Sequence, residues 1–439
     1  MTEMATELTD MEHDSMNDDG EYFSAEDSVI RGDVNRGPID VILLLVVAVL
    51  VGLGTLAVYI GSSWRAEARF LNDMFFVNQH LMGVALGTAA MVVASRIDFR
   101  WYRDWTRPLL ALTVVLLFLT LLPGIGVEFN GARRWIRLGP ILLQPAEIAK
   151  VTVCIFMAYS MEKRREELAS VKTFAKHGVA LSILILPLIL QPDFGSSIIV
   201  TAIVASMLFL GGARWSHLGA TFVMAVLLGM AAIFTEGYRV ARVRTWFNPW
   251  DDVEGSSWQL TNAWIALARG GLTGTGFGEG FSMFGFVPEM HNDFVAAVIA
   301  EEFGWGGFVL FVGLFGVVAW RGYRIAARCT DTFGAFLAFA LTTLITGQAA
   351  FNLGVVTGVL PTKGLTLPFV SFGRSSLLIL LFVVGILLNI SQNNPDMRRA
   401  RMKLRQSTLA ALNSRQQVQR WREERLAEIR SYTGRDDER

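Results

Sequence analysis

Residues 39–61 read IDVILLLVVAVLVGLGTLAVYIG, an apolar run with a single charged residue. A helix needs roughly 20 apolar residues to cross the hydrocarbon core of a bilayer. Nine further segments have a similar character, so the sequence predicts an all-α polytopic integral membrane protein with about ten transmembrane helices. The predicted spans are 39–61, 76–95, 108–124, 141–161, 178–192, 196–213, 215–234, 293–320, 333–357 and 368–391. Composition agrees, because 52% of the 439 residues are hydrophobic and only 18% are charged.

Positive charge predicts the orientation of these spans. With ten spans both ends of the chain lie on one side, and the loops and tail on that side carry most of the arginines and lysines. They are Arg96, Arg100, Arg103, Arg107, Lys163, Arg164, Arg165, Arg214, Arg321, Arg324, Arg328, Arg398, Arg399, Arg401, Lys403 and Arg405. The positive-inside rule therefore places both termini in the cytoplasm. Reading 178–192 and 196–213 as one span gives nine spans and breaks this pattern.

The tails differ from the membrane domain, which covers residues 38–392. Residues 1–37 hold eleven acidic residues and two arginines, a composition that predicts a disordered cytoplasmic tail. Residues 393–439 form a basic cytoplasmic tail, which would lie on anionic lipid headgroups or dock a cytosolic partner. No nucleic-acid partner is predicted. The loop 235–292 is the largest outside the membrane, and it has few features that would hold it rigid by itself.

Three segments on the predicted outer side carry positive charge, although the positive-inside rule predicts few basic residues there. The first holds Arg133 and Arg134, the second holds Arg239 and Arg242, and the third holds Lys363. Guanidinium forks and ammonium groups suit diphosphate oxygens, so these clusters predict an anion site at the outer rim. The alternative is that long basic side chains extend from helix ends to the membrane interface.

Two charged residues stand inside the fourth predicted span. Glu147 and Lys150 are three residues apart, so they share a helix face. Such a pair within a membrane is costly unless its members satisfy each other or line a wet cavity. A structural ion pair that joins helices and a direct role in the site are both open.

A glycine-rich stretch covers residues 271–280, GLTGTGFGEG. It lacks the Gly-Lys-Ser/Thr ending of a phosphate-binding loop, and no strand is predicted before it. Tight turns and close backbone packing are the predicted reasons for these glycines.

The stretch PEMHNDF at 288–294 concentrates titratable groups at the outer mouth of the eighth span. Glu289, His291 and Asp293 lie within five residues, with Asn292 between them. One interpretation is that Asn292 or Asp293 caps the helix that follows. The other is that a carboxylate at this mouth takes part in chemistry.

Four spaced motifs resemble the SEDS family of cell-wall polymerases. They are NGARRWIRLGPILLQPAEIAK (130–150), QPDFGSS (191–197), PEMHNDF (288–294) and GVVTGVLPTKGLTLPFVSFGRSS (354–376). The resemblance covers residues 39–392. The run LPTKGLTLP (360–368) looks more like the division branch of the family, the FtsW type, than the elongation branch, the RodA type.

The resemblance implies an activity, a substrate and partners. Members polymerise lipid II, an undecaprenyl-diphosphate disaccharide-pentapeptide, into glycan strands at the outer face of the cytoplasmic membrane. They work with a class B penicillin-binding protein and, in this branch, with other division proteins at the septum. The family's essential aspartate falls on Asp293, and its basic residues fall on Arg133, Arg134, Lys150 and Lys363. Glu147, Glu289, His291 and Ser371 lie within the same motifs and join the predicted substrate-binding set.

Some positions depart from the family pattern. Thr usually stands where Asn292 is, and the last motif usually reads Ser-Tyr-Gly-Gly-Ser-Ser. Here Phe372 removes a hydroxyl and Arg374 adds a charge. A role tied to that tyrosine is therefore in doubt, and Arg374 would contact an anion or pair with an acid.

The chemistry that follows is an inverting displacement with Asp293 as general base. The sugar is α-linked to diphosphate in lipid II and β-1,4-linked in the product. Diphosphate leaves without protonation, so one carboxylate is enough. Arg133, Arg134, Arg239, Arg242 and Lys363 would stabilise the leaving charge, and a divalent cation (Mg²⁺ or Mn²⁺) has a place beside it.

Two other functions compete with a polymerase. Ten spans and polar residues within them also suit a lipid II flippase, and a non-enzymatic division scaffold is the third hypothesis. Transporters usually bind at the midplane with paired broken helices. Here the reactive residues gather at the outer rim, which favours chemistry there.

Overall fold

The computed structural model describes residues 37–129, 131–139, 141–164, 170–234, 237–255, 257–280 and 292–393. Residues 40–391 form one compact unit, and both predicted tails lie almost wholly outside the described residues. The helices are Val41–Phe70 (α1), Phe75–Arg96 (α2), Arg100–Asp104 (α3), Thr106–Leu119 (α4), Pro145–Arg164 (α5), Val171–Leu190 (α6), Phe194–Leu210 (α7), Trp215–Phe234 (α8), Gly237–Phe247 (α9), Trp258–Gly270 (α10), Val295–Arg328 (α11), Thr332–Val356 (α12) and Arg374–Ser391 (α13). A 3₁₀ turn covers Pro249–Asp252.

Each of the ten predicted spans falls on a helix, and the prediction of a polytopic helical membrane protein is confirmed. By length and composition α1, α2, α11, α12 and α13 are long and apolar enough to cross a bilayer. Shorter apolar helical stretches are α4, residues His177–Leu190 of α6, and α7. The largest shifts of boundary are at the C-terminal ends of two helices: α1 ends at Phe70 rather than at 61, and α11 ends at Arg328 rather than at 320.

Helix α12 lies at the centre of the bundle. It packs against α11, α5 and α7. Its buried residues surround the whole helix and include the polar side chains of Gln348 and Asn352. A helix that is apolar on all sides belongs in a protein interior, so buried amides on it need partners there.

A three-stranded antiparallel sheet lies between α4 and α5, where no strand was predicted. Its strands are Gly126–Phe129 (β1), Ala132–Leu138 (β2) and Ile141–Leu143 (β3), in the order β1-β2-β3. Side chains alternate between the two faces of a strand. Ala132 and Ile136 are buried on one face of β2, with Arg134 between them, while Arg133 and Arg137 belong to the other face. Adjacent arginines are therefore separated.

The described part of the outer loop is docked on the bundle, which corrects the expectation that little holds it rigid. Two side chains one turn apart on α9 hold the connection between α12 and α13. Arg242 Nη1 donates to the carbonyl of Thr362 at 2.8 Å, and Trp246 Nε1 donates to the carbonyl of Gly358 at 2.9 Å. Helix α10 packs along α11.

The glycine-rich stretch fills a break in α11, as close backbone packing predicts. Gly304 has φ 68° and interrupts the helix. The amide N–H groups of Thr275 and Gly276 donate to the carbonyls of Glu301 and Glu302, before the break. After it, the N–H of Trp305 donates to Gly271. Backbone groups freed by the break are thus satisfied by the loop, as they must be in a membrane protein.

Replacing Gly274 by alanine should destabilise the protein. A Cβ at Gly274 would lie 2.1 Å from the carbonyl oxygen of Glu302, and its φ of 88° disfavours a side chain. We expect a loss on the order of 1–3 kcal/mol, measured as a lower unfolding temperature in detergent. Gly278→Ala is the matched control, because Gly278 has φ 76° but open space around its Cβ position. Equal losses for the two variants would contradict the clash.

Charged residues gather at one end of the bundle, opposite the predicted site. Arg100 contacts Asp331 at 3.2 Å, and Arg103 contacts Glu162 at 3.4 Å. Helix α12 begins beside Asp331 and, with 25 residues, rises about 37 Å before it ends beside the segment that holds Lys363.

Candidate active site

Residues 361–373, which we call the strap, form the second part of the connection from α12 to α13 and have no helical structure. Its backbone is held by side chains from the bundle. Asn352 Nδ2 donates to the carbonyl of Leu365 at 2.6 Å, and Gln348 Nε2 donates to that of Thr366 at 2.9 Å. Non-helical backbone at membrane depth is tolerated only when protein groups satisfy it in this way. The strap is therefore a fixed element of the site.

Asp293 lies against the strap at the start of α11. The helix begins at Val295 with Phe294 at the N-cap, so neither Asn292 nor Asp293 occupies the capping position. A Cβ added to Gly364 would lie 3.0 Å from Asp293 Oδ2, so glycine there lets the carboxylate approach the strap. The backbone carbonyl of Asp293 accepts a hydrogen bond from Asn352 at 2.8 Å. The predicted base is half-buried and its backbone is anchored.

Lys363 precedes Gly364 in the strap, so its backbone adjoins the residue that faces the Asp293 carboxylate. Lys363 Nζ lies 5.1 Å from the centre of the Phe194 ring, within cation–π range. Asp193, beside Phe194, caps α7 through the Ser196 amide. The strap thus carries a basic residue next to the glycine that the Asp293 carboxylate faces, and this residue reaches Phe194 at the start of α7.

The two arginines of β2 have different surroundings. Arg134 donates from Nε to the carbonyl of Gln191 at 2.9 Å and from Nη2 to that of Pro192 at 2.8 Å. It therefore holds the turn that leads to Phe194. Arg133 instead pairs with Glu128 at 3.2 Å on the other face of the sheet, with both side chains well exposed. The structure brings Arg134 toward the site and leaves Arg133 at the rim.

Glu147 and Lys150 are buried beneath the strap. Lys150 Nζ donates to Glu147 Oε1 at 2.8 Å and to Gln348 Oε1 at 2.7 Å. The two residues are only 4% and 1% exposed, so the ammonium is enclosed by its partners. This geometry is that of an ion pair joining α5 to α12. Substrate contact by Glu147 or Lys150 stays a prediction. It would require the surrounding side chains to move, because both residues are buried.

The last motif places Ser371 and Phe372 near the end of the strap. Ser371 Oγ accepts from the Leu367 N–H at 2.7 Å and is buried, so it closes a turn of the strap. The Phe372 ring packs edge-on against Phe76, with centres 5.5 Å apart. The ring therefore serves packing between the strap and α2, which needs no hydroxyl. Arg374 begins α13.

Some predicted residues lie outside the described part of the chain. Glu289 and His291 are among them, and so is the side chain of Arg239, although its backbone belongs to α9. Within the described residues no group of three or more His, Cys, Asp and Glu side chains is placed to hold a metal ion. The divalent cation stays a prediction.

Sequence reasoning missed Asn352 and Gln348, the amides that hold the strap. The available signal was their spacing, because they are four residues apart on an otherwise apolar span and so share a helix face. Polar residues inside a membrane span are expensive and usually have named partners. Here the partners are the backbones of the strap and of Asp293.

The family assignment rests on the whole membrane unit. The FtsW/RodA/SpoVE family model, described as a cell cycle protein, matches residues 41–396. This chain belongs to that family. The predicted SEDS relationship is thereby confirmed, and the matched range contains α1–α13, the sheet and the strap.

Curated members of the family are similar over most of their length. A probable peptidoglycan glycosyltransferase FtsW of Geobacter metallireducens is 40% identical over 353 residues, which is 80% of this chain and 94% of that protein. Stage V sporulation protein E of Bacillus subtilis is 34% identical over 359 residues, 80% of this chain and 97% of that one. The FtsW-like interpretation of the strap sequence is supported by these relatives.

Solved structures of the family share the fold. A chain from a peptidoglycan synthase complex that coordinates polymerization and crosslinking superposes with a TM-score of 0.68 at 28% identity, covering 81% of this chain and 98% of that one. RodA of Thermus thermophilus superposes with a TM-score of 0.61 at 27% identity and the same coverage.

Proposed function

We propose that this protein is a peptidoglycan glycosyltransferase that polymerises lipid II into glycan strands. The observation that carries the proposal is the contact of Asp293 with the strap, where Gly364 leaves room for the carboxylate and the preceding residue is the basic Lys363. A base and an anion-stabilising group at one outer mouth are what transfer from a sugar diphosphate needs.

In the proposed reaction Asp293 accepts the proton of the acceptor 4-hydroxyl as its oxygen attacks the anomeric carbon of the donor. The α bond to diphosphate breaks with its electron pair on the leaving oxygen, and a β-1,4 bond forms. Lys363 balances the charge of the departing diphosphate. Arg242 and Arg134 orient the strap and the 191–194 turn around it. A divalent cation would add counter-charge at the diphosphate, and no step is assigned to it.

The direct test uses the purified full-length protein with labelled lipid II in detergent or liposomes. We expect a ladder of glycan strands on a gel that a muramidase digests. The same preparation of Asp293→Asn controls for contaminating polymerases. A ladder of equal intensity from the variant would contradict the proposal.

Lys363→Ala should lower kcat/KM for lipid II by about 10²–10³-fold, because one preorganised cationic group at the leaving diphosphate is lost. The measurement is the initial polymerisation rate at limiting lipid II. Lys163→Ala is the matched control, since Lys163 lies at the opposite end of the bundle and contacts Tyr159. Full activity of Lys363→Ala would identify Lys363 as an interfacial anchor only.

A class B penicillin-binding protein is the proposed partner, with other division proteins and membrane lipids around the pair. One solved relative belongs to a complex that couples polymerization with crosslinking. In this protein the glycine-rich part of the outer loop is hydrogen-bonded to α11, the helix that follows Asp293. A partner that binds this loop would therefore change the position of the base. We expect a higher polymerisation rate in the complex. Equal rates at saturating lipid II would argue against such coupling.

The proposed location is the bacterial inner membrane at the division septum, with both termini cytoplasmic and the site facing the periplasm. The separation of the charged end from the Asp293 end supports this orientation.

A flippase is less well supported than a polymerase. The one feature that favours transport is the Glu147–Lys150 pair within a span. That pair is enclosed, because Lys150 donates hydrogen bonds to both Glu147 and Gln348.

A further inference from the structure

Helix α12 carries two buried amides, Gln348 and Asn352, on one face. Asn352 is 1% exposed and Gln348 is 0% exposed. Their Nδ2 and Nε2 groups donate to consecutive carbonyls of the strap, those of Leu365 and Thr366. The spacing of four residues matches one turn of helix. The two amides therefore hold the strap directly after Gly364.

Asn352 does more than hold the strap. Its Nδ2 group also donates to the backbone carbonyl of Asp293, at 2.8 Å. One amide group thus joins the residue proposed as base to the segment that holds Lys363. Both hydrogens of the group are used, and each acceptor belongs to a different part of the chain. The Asp293 and Leu365 carbonyls are fixed relative to a single nitrogen.

We propose that Asn352 is a positioning residue for glycosyl transfer, which sets the distance between the Asp293 carboxylate and the Lys363 ammonium. This inference rests on the proposed function. A base and a charge-stabilising group act together only in one geometry, and a displacement of about 1 Å can cost 10²-fold in rate. Asn352 touches neither lipid II nor the reacting atoms in this role.

The test is a comparison of two buried asparagines in the full-length protein with labelled lipid II. Asn352→Leu keeps the volume and removes both donors. Asn389→Leu is the matched control, because Asn389 is also buried and bonds the backbones of Ser95 and Phe99 at the opposite end of the bundle. Unfolding temperature, kcat and KM for lipid II are measured for both.

We expect similar falls in unfolding temperature for the two variants but different kinetics. Asn352→Leu should lose about 10- to 100-fold in kcat with KM nearly unchanged, because substrate binding is kept while the catalytic geometry is lost. Asn389→Leu should keep kcat within about twofold. If both lose kcat equally, or if Asn352→Leu keeps full kcat, the positioning role is wrong.

A second variant covers the case in which Asn352→Leu does not fold. Asn352→Asp keeps the shape but offers at most one donor, so at least one of the two hydrogen bonds is lost and kcat should again fall with little change in KM. Wild-type kcat in Asn352→Asp would overturn the inference. Asp293→Asn is assayed in parallel. Activity there would refute the assigned base itself, whereas an inactive Asp293→Asn with fully active Asn352 variants would refute only the positioning role.

Discussion

Asp293→Asn should reduce glycan polymerisation by about 10²–10⁴-fold, the usual contribution of a positioned general base. The change keeps the size of the side chain and leaves the backbone carbonyl that Asn352 holds. It removes the negative charge and the basic oxygen that face Gly364. The protein should still fold, bind its partner and bind lipid II. The measurement is the initial rate of strand formation with labelled lipid II.

Asp331→Asn is the matched control for this variant. Asp331 also precedes a helix, where its side chain accepts from the Gly334 amide, but it lies at the opposite end of the bundle. Its replacement should leave the polymerisation rate near that of the wild type.

A transport assay tests the flippase alternative with the same variant. Liposomes are prepared with labelled lipid II in the inner leaflet only. Rapid appearance of the label in the outer leaflet, at a rate that Asp293→Asn does not change, would favour a flippase.

Lys150→Met should destabilise the protein by about 3–5 kcal/mol, because it leaves the Glu147 carboxylate buried without its cation. Glu147 is already short of partners, since its Oε2 atom accepts no hydrogen bond from the described residues. Gln348 Oε1 would lose its donor as well. The expected result is a large fall in the unfolding temperature of the detergent-solubilised protein.

A double replacement separates charge from packing. Glu147→Gln with Lys150→Met removes both charges, so the double variant should be more stable than Lys150→Met alone. Arg133→Met is the exposed comparison, because Arg133 pairs with Glu128 at the surface and such pairs contribute about 0–1 kcal/mol. If Lys150→Met unfolds no more readily than Arg133→Met, the pair is not a structural ion pair of the core.

The helical bundle was predictable because hydrophobicity is a local signal. A span needs about 20 apolar residues whatever surrounds it, so each of the ten predicted segments fell on a helix. The sheet is not predicted because β1 and β3 have only four and three residues, and because the charges of this outer connection dominate its sequence pattern. The outer loop was misjudged for a related reason. Its docking depends on single contacts to distant carbonyls, such as that from Arg242 to Thr362.

The candidate site was predictable in part. Motif and charge point to Asp293 and Lys363, and the structure places the Asp293 carboxylate against Gly364, the residue that follows Lys363. The neighbouring arginines Arg133 and Arg134 looked equivalent in sequence, but strand alternation sends them to opposite faces. Whether two adjacent residues lie on the same face of an element cannot be decided until its secondary structure is known.

By itself the sequence determined the membrane architecture, the family and the residue types available for chemistry, since these depend on composition, local periodicity and motif spacing. Only the tertiary structure decided which of those residues meet. Asp293, Asn352 and Leu365 come together through contacts between separate elements, and the strap is held by side chains it does not itself contain. Such contacts are set by the packing of α12 within the bundle. No local pattern encodes them, because each partner alone is only a polar residue in an apolar setting.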